Sequence, residues 1–95
     1  MAELKHHETL EEAVRHLESR FDELTSEYDS GDLMWHLRGL VAEILREGDY
    51  PREVVLASLD DYRHVLRDTG RDEYEDDVQD VLDLMTGFGP SRLRI

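Results

Sequence analysis

Four stretches of the chain repeat apolar residues every three or four positions, and Gly or Pro residues separate most of them. This spacing places the apolar side chains on one face of an α-helix, which has 3.6 residues per turn. The stretches predict helices at residues 10–28, 32–47, 51–68 and 72–86. Because short connections favour antiparallel neighbours, the predicted fold class is all-α, a small antiparallel four-helix bundle.

The helix ends are predicted from residues that satisfy free backbone groups. Thr9 and Glu12 match the capping box, in which a hydroxyl and a carboxylate each bind a backbone N–H at the helix start. Ser30 and Asp32 are alternative caps for the second helix. Gly70 suits the left-handed residue that follows many helices, so we expect the third helix to end there.

The apolar stripes should form one core, since a chain of 95 residues holds a single domain of modest size, residues 1–95. A short non-helical tail is expected at residues 87–95, because Pro90 cannot continue a helix. The stripes consist of Leu10, Val14, Leu17, Phe21, Leu24 and Tyr28 in the first helix, Leu33, Leu37, Leu40 and Ile44 in the second, Val55, Leu59, Tyr62 and Leu66 in the third, and Tyr74, Val78, Val81 and Met85 in the fourth.

The charge of the chain restricts its partners. Asp and Glu number 24 against 11 Lys and Arg, a formal net charge of −13. Nucleic acids and anionic membranes need a positive protein surface, so we expect neither as a partner. Cysteine is absent, which excludes disulfides and thiolate metal sites. With no apolar run long enough to span a bilayer, the chain is interpreted as a soluble cytoplasmic protein.

No arrangement of residues predicts catalysis. The serines lie outside any nucleophile-elbow pattern, and no glycine-rich phosphate loop is present, so we expect a protein that is not an enzyme and has no cofactor. Asp61 and His64 lie three residues apart, but bundle metal sites use such a pair twice, with further carboxylates. No metal site is therefore expected, although a metal-binding bundle stays as an alternative.

The fourth predicted helix is strongly acidic, with seven carboxylates between Arg71 and Asp83. Those in its first turn interact favourably with the helix dipole, whereas the later ones repel each other without interspersed basic residues. The sequence predicts a negative ridge that meets a basic protein surface, although acidity of this kind is also ordinary in salt-adapted organisms. The predicted partner-binding carboxylates are Glu73, Asp76, Asp77, Asp80 and Asp83, where either Asp76 or Asp77 continues the spacing of three and four residues. Trp35 is predicted as an aromatic anchor for the partner.

The small size, the acidity and the "EGDY" step between two helices at Glu47 to Tyr50 resemble the small acidic helical immunity proteins of bacterial toxin systems. The resemblance extends over about residues 33–85 and lacks the tyrosine-pair motif of the colicin-nuclease immunity proteins. It implies a protein-binding inhibitor that covers a basic site, such as a toxin domain. The alternative is a structural or assembly subunit that forms a homodimer or a larger complex.

Overall fold

A computed structural model describes residues 9–87 and contains a helix in each of the four predicted stretches. The predicted all-α class is confirmed, and residues 9–87 include no β-strand. The predicted tail, apart from Gly87, lies outside the described residues. The helices are α1, Leu10–Glu27; α2, Asp32–Glu47; α3, Arg52–Asp68; and α4, Glu75–Thr86, with a 3-10 turn at Asp72–Tyr74 before α4. The fourth predicted helix therefore begins as a tighter turn rather than as α-helix.

Helix α3 lies at the centre of the fold, because it packs extensively against both α1 and α4. Helix α2 packs mainly against α4. Arg63 of α3 contacts Gln79 of α4, and Arg67, one turn later in α3, contacts Glu75, one turn earlier in α4. Helices α3 and α4 therefore run antiparallel.

The core follows the predicted stripes closely in α3 and less closely in α1. The α3 stripe is wholly buried, but Leu10 of α1 is 57% exposed. Thr25 is buried instead of Leu24, because its hydroxyl binds the backbone oxygen of Phe21 at 2.9 Å and lies 2.8 Å from the hydroxyl of Tyr62. The α1 prediction is thus wrong at its first residue, Leu10, and correct at Leu17 and Phe21, while Leu24 is partly buried and packs against the core.

The chain reverses between α3 and α4 at Gly70, as predicted. Gly70 has φ of 74°, the left-handed conformation that costs glycine little. The N–H of Arg71 binds the oxygen of Leu66 at 2.7 Å, and the N–H of Gly70 binds that of Arg67 at 3.3 Å. This pair of bonds is the Schellman motif, which satisfies carbonyl groups left free at a helix end. It also places Arg71 beside Asp22 of α1, with which it forms an ion pair.

The start of α2 is held by a carboxylate from another helix. The N-cap residue, Gly31, has no side chain to bind the free N–H groups, and neither predicted cap takes this role. The two oxygens of Asp77, in α4, accept hydrogen bonds from Gly31 N at 2.7 Å, Met34 N at 3.0 Å and the Ser30 hydroxyl at 3.1 Å. Asp77 is therefore the N-terminal cap of α2, supplied from α4.

We predict that Asp77→Ala lowers the free energy of unfolding by about 2 kcal/mol, because it leaves two partly buried backbone N–H groups without this acceptor. Urea unfolding monitored by circular dichroism measures this change. The matched control is Asp76→Ala, which removes an exposed carboxylate one residue away and should change stability by less than about 0.5 kcal/mol. Equal losses in both variants would show that Asp77 does not hold α2.

Candidate protein-binding surface and the α1–α3 groove

The predicted binding carboxylates do not all lie on one surface. Glu73, Asp76 and Asp80 are exposed, and Asp83 is half-buried, with one oxygen 2.9 Å from the Gln79 side-chain nitrogen that donates to it. Asp77 is 3% exposed, so its predicted place on a partner-binding surface is wrong. The physical reason is its position on the helix, which points it toward the first turn of α2. We use the term acidic ridge for the remaining four residues, Glu73, Asp76, Asp80 and Asp83.

One carboxylate of the acidic run is neutralised within the fold. Glu75 forms a two-point contact with the guanidinium of Arg67, at 3.0 and 2.9 Å. The hydrogen bonds from Arg67 lower the pKa of Glu75, and the positive charge of Arg67 lowers it further. Glu75 is consequently a bond between α3 and α4 rather than part of a surface for a partner.

The acidic ridge has no comparable compensation. Within residues 9–87, no basic side chain forms an ion pair with any of its four carboxylates. Partial desolvation raises the pKa of Asp80. The neighbouring charges of Asp77, Asp83 and Asp76 raise this pKa further. The ridge therefore carries unrelieved repulsion between like charges.

Trp35 lies on α2, a helix that packs against α4. Its side chain is 53% exposed, an unusual position for the largest apolar side chain. Trp35 follows Met34, whose backbone N–H binds Asp77, and Asp77 in turn follows Asp76 of the ridge. The predicted anchor is therefore an exposed side chain on the helix whose start Asp77 of α4 caps.

A second acidic site, which sequence reasoning missed, lies in an open groove of about 500 Å³ between α1 and α3. Glu18 of α1 and Asp61 of α3 meet there. Burial raises the pKa of Glu18 to about 7, and the hydrogen bond and charge of Asp61 contribute. One oxygen of Glu18, Oε2, is buried and has no hydrogen-bond partner. Because a proton between the two carboxyl groups removes their repulsion, Glu18 is partly protonated near neutral pH.

Next to this pair lies a polar cluster that joins α1, α3 and the α3–α4 connection. The hydroxyl of Tyr62 lies 3.1 Å from Asp22 Oδ1, which also binds the guanidinium of Arg71. Burial raises the pKa of Tyr62 to about 12, partly offset by the hydrogen bond with Thr25. This cluster is fully paired, so we assign it to the stability of the fold.

Metal ligation has little geometric support in the described residues. Among residues 9–87, no group of three or more His, Cys, Asp or Glu side chains is arranged to hold a metal ion. His64 directs Nδ1 to the backbone oxygen of Asp60, 3.0 Å away, rather than toward a set of ligands. None of the helices in residues 9–87 is long and apolar enough to cross a bilayer.

Comparison with protein-family models, curated proteins and solved structures gave no match to this chain. The geometry of its own residues is therefore the basis for a functional proposal.

The missed pair had a weak signal in the sequence. Glu18 directly follows Leu17 of the apolar stripe, a position at the edge of a helix interface, where long side chains are often partly buried. The sequence pattern relates its partner, Asp61, only to His64, three residues later. The pairing of α1 with α3 was the missing information, because no local pattern specifies which helices are neighbours.

We predict that Asp83→Asn lowers the pKa of Asp80, because it removes a neighbouring negative charge and retains an oxygen for Gln79. A titration of the Asp80 carboxyl carbon by NMR measures this pKa. Glu27→Gln on α1 makes the same change in net charge away from the ridge and should leave the Asp80 midpoint in place. An unchanged midpoint in Asp83→Asn would contradict charge repulsion along the ridge.

Proposed function

We propose that this chain is a non-catalytic acidic module that binds a basic site on another protein, in the manner of an inhibitor or immunity protein. The observation that supports this proposal is the acidic ridge, in which no carboxylate is neutralised within residues 9–87. Glu75, in the same acidic run, is bound by Arg67, whereas the four ridge carboxylates form no ion pair among these residues and lie in a row along the 3-10 turn and α4.

Binding of a basic partner relieves the repulsion within the ridge. Lys or Arg side chains placed against Asp76 and Asp80 would favour their charged forms, and so lower the raised pKa of Asp80. The repulsion that the free protein tolerates thereby becomes a favourable difference between the bound and free states. The same negative field accelerates the encounter between the two proteins at low ionic strength.

Trp35 supplies an apolar contact beside the charges. Electrostatic attraction at an interface rim contributes more to association rate and specificity than to affinity, and tryptophan is enriched among residues that dominate binding energy. Trp35 is exposed on α2, the helix that Asp77 of α4 caps, and so is open to such a contact. In the immunity-type interpretation, the partner surface is the basic region of a toxin domain.

A second candidate function is that of an assembly subunit, and the exposure of Trp35 favours it as well. In that case Trp35 packs against another copy of this chain or against a complex, and the acidic ridge keeps the assembly soluble. The two functions differ in their response to salt, because screening weakens a charge-based contact and leaves an apolar one in place.

We predict that affinity capture from the source organism retains a basic protein at low salt, and that Asp76→Lys with Asp80→Lys reduces its binding by at least tenfold. Binding of the purified partner to both forms, measured by calorimetry at two salt concentrations, gives the affinity. A reversal of charge at the contact replaces attraction with repulsion, whereas a general change in net charge has a smaller effect.

The matched control is Glu23→Lys with Glu27→Lys. These carboxylates are exposed, lie four residues apart as Asp76 and Asp80 do, and change the net charge by the same amount. The control should retain most of the affinity. Equal losses in the two double variants would attribute binding to net charge, and no loss in either would refute a role for the ridge.

We predict that Trp35→Ala weakens binding to that partner by at least tenfold while its salt dependence stays the same. Sedimentation of the unbound chain tests the second candidate in parallel. If the wild type forms a dimer that persists in high salt and Trp35→Ala is a monomer, the assembly function is favoured over the inhibitor function.

A further inference from the structure

The carboxyl pair Glu18–Asp61 lies outside the acidic ridge. It joins the middle of α1 to the middle of α3, across the groove between these helices. The other carboxylates that join helices, Asp22, Glu75 and Asp77, are bound by an arginine or by backbone N–H groups. This contact instead brings together two acids, which attract each other only when they hold a proton between them.

The charged groups around the pair do not replace that proton. Arg15 of α1 lines the same groove, but no basic side chain within residues 9–87 forms an ion pair with Glu18. The other titratable or charged groups that line the groove beside the pair are Glu11 and Asp22 from α1, Asp60 and Tyr62 from α3, and Arg71 from the connection before α4. Asp60 is bound by Arg63, and Asp22 by Arg71, so the two nearest cation–carboxylate contacts are already complete.

The buried oxygen of Glu18 shows why this arrangement depends on a proton. Oε2 is out of contact with water and accepts no hydrogen bond, a costly state for an ionised carboxylate. A protonated carboxyl group carries no charge and can donate a hydrogen bond to Asp61. Protonation therefore removes the desolvation cost and converts a repulsive contact into an attractive one.

We propose that the Glu18–Asp61 pair is a pH-responsive contact, in which a shared proton holds α1 against α3 and its loss loosens the N-terminal half of α1. The contact is closed in mildly acidic solution and weakened as the solution becomes alkaline. Loosening would uncover Ala13 and Leu17, which are fully buried in the core. The proposal concerns a different pair of helices from the acidic ridge and does not rest on the proposed function.

The direction of the pH effect follows from proton linkage. The folded pKa of Glu18, about 7, lies above its ordinary value of 4.5, so the closed state binds a proton that the open state releases. The stabilisation is complete below about pH 4.5 and is lost as pH rises through about 7. If opening restores the ordinary pKa, the opening constant increases about tenfold between pH 6 and pH 8.

Two measurements on the full chain test this proposal. NMR titration of the Glu18 side-chain carboxyl should give a midpoint near 7, and Asp61→Asn should lower it. Hydrogen exchange of the α1 amides, corrected for the intrinsic exchange rate at each pH, gives the opening constant. In the wild type it should increase about tenfold from pH 6 to pH 8 in the N-terminal half of α1.

Glu18→Gln is the decisive variant, because its amide is neutral at every pH and can still donate to Asp61. Its opening constant should be independent of pH over the same range. Glu11→Gln, an exposed position in the same groove, is the control and should keep the tenfold change. A Glu18 midpoint near 4.5, or an unchanged pH response in Glu18→Gln, would overturn the proposal.

Discussion

The hydrogen bonds by which Asp77 caps α2 determine which face of α4 is buried and which is exposed. Its Oδ2 accepts hydrogen bonds from the backbone N–H groups of Gly31 and Met34, its Oδ1 accepts one from the Ser30 hydroxyl, and together they fix α4 against the start of α2. Because successive residues on a helix are 100° apart, this contact turns Asp76 and Asp80 outward on one side of Asp77 and Val78 inward on the other. The exposed ridge and the buried core face of α4 thus follow from one interaction between helices.

The acidic run of α4 serves three physical purposes that its composition does not distinguish. Asp77 satisfies backbone donors, and Glu75 joins α4 to α3 through Arg67. The four carboxylates of the acidic ridge form no ion pair within residues 9–87, and we base the proposed function on them. A count of carboxylates overstates the surface open to a partner, because the fold uses the two carboxylates with the best internal contacts.

Local patterns in the sequence were enough to predict four helices and the turn at Gly70, since helix period and capping depend on neighbouring residues. They did not predict the cap of α2, because Gly31 and Asp77 are separated by 46 positions. They also did not predict that Thr25 of α1 is buried, where its hydroxyl lies 2.8 Å from the hydroxyl of Tyr62. The sequence therefore predicted that the fourth helix is acidic. Which of its carboxylates are exposed depends on tertiary contacts between helices, and these were not predictable.

Asp80 and Glu18 both have a raised pKa, yet their surroundings give the two carboxyl groups different capacities. Asp80 is exposed, so a cation brought by a partner can approach it and relieve the repulsion from outside. The Oε2 atom of Glu18 is enclosed between α1 and α3, so either a proton or a movement of α1 must relieve it. The charge state of Asp80 is therefore linked to binding of a partner, and that of Glu18 is linked to the position of α1. A partner on the ridge would therefore be expected to change the pKa of Asp80 while leaving that of Glu18 in place, unless binding also moves α1.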